Sequence, residues 1–133
     1  MFLVSLNVVM AQVAVIANKS VKVNEISKTE LLDCYTGDVI KWKDGQKVQV
    51  FDLKLKSEIK EIFYKYLGKS PSRMKSIWMK RMLSGEGDPP PALKSETEML
   101  KKIEETKGAI GFVNYDSVNT NVKIIAIIEP EEK

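Results

Sequence analysis

The first seventeen residues, MFLVSLNVVMAQVAVIA, carry no charge, and no other feature constrains the fold of this chain as strongly. A spanning helix needs about 18 or more apolar residues in succession. This run is shorter, and Ser5, Asn7 and Gln12 interrupt it. It divides in two. Residues 1–11 read as the apolar core and cleavage site of a secretory signal, with Val9-Met10-Ala11 placing small residues at the −3 and −1 positions. The usual basic segment before such a core is missing, as it would be if the natural start lay upstream. Val13 to Ala17 then form the first strand of the mature fold. The alternative is one long buried strand with a frayed end.

Beyond that run the sequence alternates strand signals with capped helices. Ser27 and Glu30 have the spacing of a capping box and open a helix over about 28–35 that stops near Gly37. Trp42 lies in a turn-rich stretch that ends at Asp44-Gly45. Lys47 to Phe51 alternates polar and apolar residues as a strand does. Ser57 caps a helix with Ile59, Ile62, Phe63, Tyr66 and Leu67 on one face, and Gly68 ends it. Ser70-Pro71 starts another, with Met74, Ile77, Trp78, Arg81 and Met82 at helical spacing. The stretch from Gly85 to Pro91 is a loop. Ser95 and Glu98 repeat the capping-box spacing. Gly108 to Val113 and Val122 to Ile128 are the last strands. The order β-α-β-α-α-α-β-β predicts an α/β domain with helices packed on a small sheet, and the length of 133 residues suits one core.

Composition removes much chemistry. There is no histidine, which excludes Ser-His-Asp and Cys-His catalysis and most zinc sites. The single cysteine, Cys34, permits no internal disulfide and reads as a small buried hydrophobe. Ser84-Gly85-Glu86-Gly87-Asp88 holds two carboxylates but lacks the spacing of a calcium loop, and reads as a helix end followed by a rigid turn. Neither a nucleophile arrangement nor a cofactor motif is visible, so the chain is expected not to be an enzyme. Trp42, Trp78, Phe63 and Tyr66 are expected in the core; Tyr35 suits either the core edge or the surface. The net charge of +3 is too mild to argue for nucleic acid. It is unevenly placed: residues 54–82 hold nine basic and two acidic side chains, whereas residues 83–133 hold six and ten. The basic block reads either as two solvated helix faces or as a surface for an anion or an acidic partner.

Four landmarks stand in order: Val13-Ala-Val-Ile-Ala-Asn18; Leu32-Asp-Cys-Tyr-Thr-Gly37, with Trp42 after it; Phe63-Tyr-Lys-Tyr-Leu-Gly68; and Gly108-Ala-Ile-Gly-Phe-Val113. Between the last two lies Trp78, followed by Ser84-Gly-Glu-Gly-Asp-Pro-Pro90. With these the chain resembles the phosphate-type substrate-binding proteins of ABC transporters, and looks most like short members that keep one lobe of the two-lobed periplasmic-binding-protein fold. The resemblance runs over roughly residues 12–128. It implies one lobe of a type II periplasmic-binding-protein-like fold over residues 12–133, a small mixed sheet flanked by helices, exported to the periplasm or beyond.

The resemblance also implies a ligand site. In the family an arginine and then Gly-Ser-Gly-Thr run into a helix, whose amino terminus is a generic anion site. The corresponding stretch here is Asp52-Leu-Lys-Leu-Lys-Ser57-Glu-Ile-Lys60. Only Ser57 keeps its place. Leu53 stands for the arginine, Lys56 and Glu58 for the glycines, and Ile59 for the threonine. Glu58 suits the helix but opposes a bound dianion. Lys54 and Lys56 offset it as point charges, without the fork of arginine. The site implied for phosphate or a similar oxyanion is therefore Ser57, Lys54 and Lys56. A single lobe gives it one wall, and a homodimer or an envelope protein would supply the second. The alternative is a lobe without ligand that serves as an interaction or accessory protein of the cell envelope through the basic 54–82 helices.

Overall fold

The structure, a computed structural model, describes residues 11–54 and 56–130. The expected leader falls almost wholly on residues 1–10, outside the described residues. Among the described residues no helix is long and apolar enough to cross a membrane.

The apolar run Val13–Ala17 forms β1, one of the two inner strands of a four-stranded sheet, with all five residues buried. It pairs antiparallel with β5 (Ala109–Asn114) on one side and with β6 (Lys123–Ile128) on the other, with a register shift against β6 between Val15 and Ile16. A strand covered on both faces has no polar side to alternate with, so it reads as a continuous apolar run. β2 (Gln49–Val50) extends the sheet by pairing parallel to β5, giving the order β2-β5-β1-β6.

The strand expected over Lys47 to Phe51 changes partners partway along its length. Phe51 N–H still donates to the Ile110 carbonyl of β5 at 3.0 Å, but the next amide, of Asp52, donates to Pro91 at 2.9 Å. The chain continues as β3 (Asp52–Leu53), parallel to a short β4 (Ala92–Leu93). β4 has no counterpart among the expected elements, because two residues after a run of prolines show no periodicity to read.

The helices follow their caps. α1 (Lys28–Thr36) opens on a complete capping box between Ser27 and Glu30 and ends at Gly37, whose φ of 80° is left-handed. α2 (Glu58–Leu67) opens on Ser57 and ends at Gly68. α3 (Pro71–Leu83) opens on Ser70, with Pro71 at its first position. α4 (Glu96–Glu105) opens on Ser95, but the carboxylate of Glu98 accepts from the Lys94 amide and not from the cap residue. A single 3₁₀ turn, Tyr115–Ser117, joins β5 to β6.

The core centres on Phe63 of α2 and Phe112 of β5, stacked with ring centroids 3.9 Å apart and planes 6° from parallel. Tyr35 meets Phe63 edge-on at 4.8 Å and is itself buried, its hydroxyl donating to the Phe51 carbonyl at 2.8 Å. Such ring pairs add about 0.5–1.5 kcal/mol each beyond burial. Trp42 is buried as expected, and its indole N–H donates to the Gly108 carbonyl at 2.9 Å. Cys34 is buried too. Tyr66 and Trp78 pack at the margin of the core.

Candidate functional site

The bond from the Tyr35 hydroxyl to the Phe51 carbonyl and the aromatic cluster fix the place where the strand leaves the main sheet, and so fix where α2 begins. Ser57, in extended backbone conformation, accepts the Lys60 amide on its Oγ at 3.2 Å. The remaining amides of a first helical turn have no partner within the helix and point outward together with the positive end of its dipole. The amino terminus of α2 thus opens at the end of β3, on the surface.

Beside it lies a hollow of about 670 Å³, and the three residues expected to form the site, Lys54, Lys56 and Ser57, all line it. The hollow also takes in groups that the sequence reading did not assign to it: Lys60, Lys69 and Ser70. Ser70 is the cap of α3 and accepts from the Arg73 amide at 3.1 Å, so two capped helix starts border one concavity. Lys60 was within reach of sequence reasoning, being one helical turn beyond Ser57. Lys69 and Ser70 follow the carboxyl end of α2, about 15 Å along the helix from Ser57, and mark the far end of the hollow, which runs the length of α2. Glu61 on the rim carries negative charge into the same hollow.

Lys60 and Tyr64, which line the hollow, join a set of polar contacts with the end of β3. Lys60 Nζ donates to the Leu53 carbonyl at 2.6 Å and lies 3.9 Å from the Asp52 carboxylate. Asp52 also accepts from its neighbour's amide, Leu53 N–H, at 2.8 Å and from the Tyr64 hydroxyl. Burial, then the negative charge of Asp52 and the hydrogen bond to it, push the Tyr64 hydroxyl far above the ordinary tyrosine range. Lys60 stands 5.6 Å over the Tyr64 ring, adding a cation–π contact.

The structure also shows what became of the other positions. Leu53 and Ile59 are buried, each 5% exposed, so the two residues standing where the resemblance has an arginine and a threonine serve the core. Lys56 and Glu58 are on the surface. The glycine-rich carboxylate loop at residues 84–88 is drawn into a different role, since Glu86 pairs with Arg81 at 3.1 Å.

Residues 3–129 match the sequence model of a family described as PBP superfamily domain. No curated protein matches significantly. Among solved structures, the chain is similar to an ABC-type phosphate transport receptor from Vibrio cholerae, with a TM-score of 0.70 and 21% identity over 86% of this chain and 45% of that one. It is also similar to a phosphate ABC transporter substrate-binding protein with bound phosphate from Clostridium perfringens (TM-score 0.72, 16% identity, 86% of this chain and 44% of that one). A third similar structure is PstS from Borrelia burgdorferi (TM-score 0.61, 18% identity, 90% of this chain and 49% of that one). At these identities the likeness is one of fold. The chain spans less than half the length of each, as one lobe of a two-lobed protein does.

Proposed function

The chain belongs to the PBP superfamily domain family, and on that premise we propose that it is an exported solute-binding module that holds phosphate or a similar oxyanion at the start of α2. The observation that carries this reading is the placing of Lys54, Lys56 and Lys60 on the hollow beside the Ser57-capped helix start. A helix amino terminus attracts anions through its free amides and its dipole. Lysines add charge without fixing orientation, so this site favours a compact oxyanion over one held by a bidentate fork. The solved structures of similar fold whose names include phosphate give the ligand class its prior.

Two features set the affinity low. Glu58 and Glu61 stand in the first turn of α2, and the hollow is open to water, which screens the attraction. A second wall, from another copy or from a partner protein of the envelope, would raise it.

Thermal melting of the full chain at fixed ionic strength, with phosphate or chloride at millimolar concentration, tests the reading. A ligand at 100 times its dissociation constant stabilises by about 2.7 kcal/mol, a shift of several degrees at this size. A phosphate-specific shift that disappears in Lys56→Glu/Ser57→Ala supports the site. No shift, or an equal shift in the double variant, overturns it.

A further inference from the structure

The outer face of α3 is a second surface, and one of its hollows shares Lys54, Lys60 and Tyr64 with the hollow along α2. Of the thirteen residues of this helix only Met74 is buried. Met79 and Met82 are 43% exposed and Leu83 is 80% exposed. Beside them stand Lys75 and Lys80, which make no ion pair among the described residues. Arg81 is differently placed, being spent on the Thr36 carbonyl, Asp38 and Glu86. The helix contains no acidic residue. It forms a ridge between two hollows, one of about 580 Å³ bordered by Trp78, Met79, Met82 and Pro89. The other, of about 420 Å³, is bordered by Lys75, Met79, Lys80 and Leu83.

Exposed apolar side chains in a cationic rim suit an apolar partner of opposite charge. A second copy laid against this face through its own α3 would set cation against cation with no acid to relieve it. A flat bilayer surface would leave the two flanking hollows unfilled, whereas a protein segment fills them. Methionine side chains adapt to such segments, and an amphipathic helix in a groove is a standard way to use them.

We propose that the outer face of α3 is the docking surface for an acidic amphipathic protein segment. That segment lays apolar side chains against Met79, Met82 and Leu83 and carboxylates against Lys75 and Lys80. This inference does not rest on the oxyanion reading.

The test is selection of a random 16-residue peptide library on the full chain, with the variant Lys75→Glu/Lys80→Glu/Met82→Asp as counter-selection. All three substitutions are on the surface, so the variant should melt like the parent, and Leu83→Asp alone serves as a milder second variant. Trp78, on the edge of one hollow, reports binding by its emission against the constant background of buried Trp42. The expected result is enrichment of peptides that combine Asp and Glu with large apolar residues at helical spacing. Their affinity should fall at least tenfold in both variants and stay unchanged in Lys56→Glu/Ser57→Ala. Enrichment of neutral or basic peptides, no difference between parent and variants, or loss in the α2 variant overturns the proposal. So does co-sedimentation with phosphatidylglycerol vesicles that the triple variant abolishes, which would make the face a membrane contact.

Discussion

Lys60 reaches back across the start of its own helix to donate to the carbonyl of Leu53 at 2.6 Å, tying α2 to the end of β3. The same ammonium faces Asp52 and the Tyr64 ring, and it is largely shielded from water. Lys60→Met keeps much of the stem packing but leaves the Leu53 carbonyl and one side of the Asp52 carboxylate without a donor. The expected cost is about 1–3 kcal/mol, read from urea unfolding midpoints. Lys54→Met, on an exposed side chain of the same hollow, should leave stability within about 0.5 kcal/mol of the parent.

Gly108 is the least replaceable glycine. Its φ is 76°, and a Cβ built there would lie 2.0 Å from the Lys47 carbonyl oxygen, a backbone atom that cannot swing aside. Its own carbonyl accepts the Trp42 indole and the Gln49 amide, so any shift propagates to β2. Gly108→Ala should cost more than about 2 kcal/mol, against about 1 kcal/mol for Gly68→Ala. Gly68 has a similar φ but open space around it. Comparing the two by chemical denaturation separates steric clash from backbone conformation.

Arg81 closes the end of α1. Its Nε donates to the Thr36 carbonyl at 2.6 Å while its other nitrogens meet Asp38 and Glu86. Trp78 donates to the preceding carbonyl, of Tyr35, at 2.8 Å. A cation at a helix carboxyl end also opposes the negative end of the dipole. Arg81→Lys retains the charge but loses the fork, and should cost about 1–2 kcal/mol. The two acids are more than half exposed, so most of that loss should persist in 1 M salt.

Stability should fall in alkali. Burial raises the Cys34 thiol from 9.0 to about 12, with Asp33 and Glu30 adding to the shift. Burial also raises Tyr35 and Tyr64, with Asp52 reinforcing both. In each case the unfolded chain loses its proton at a lower pH than the folded one. The stabilisation is therefore complete below about pH 9 and is lost as pH rises from there, first through Cys34 up to about 12 and from about pH 10 through the tyrosines as well. Each group contributes up to about 1.4 kcal/mol per pH unit within its window. Melting temperatures between pH 8 and 11.5 should show this decline, and Cys34→Ala should remove its earliest part. The protonated thiol should also react slowly with iodoacetamide until the protein unfolds.

The elements that could be read in the chain are those whose signals are local. The capping residues Ser27, Ser57, Ser70 and Ser95 begin the helices as expected, because a cap is a bond between residues three apart. β1 was visible as an uncharged β-branched run. Tyr35 was not assignable, because its burial depends on Phe63 and Phe112, which are remote in sequence. β4 was missed for the same reason, since it exists only as a partner to β3.

The candidate site divides the same way. The helix start at Ser57, the nearby Lys54 and Lys56, the basic character of residues 54–82 and the absence of histidine chemistry are legible along the chain. Packing alone turns Leu53 and Ile59 into the core, binds Lys60 to the Leu53 carbonyl, and sets Lys69 and Ser70 along the same hollow. Caps and charge content follow from neighbours along the chain, whereas the direction a side chain faces and the company it keeps follow from how α2 and α3 pack on the sheet.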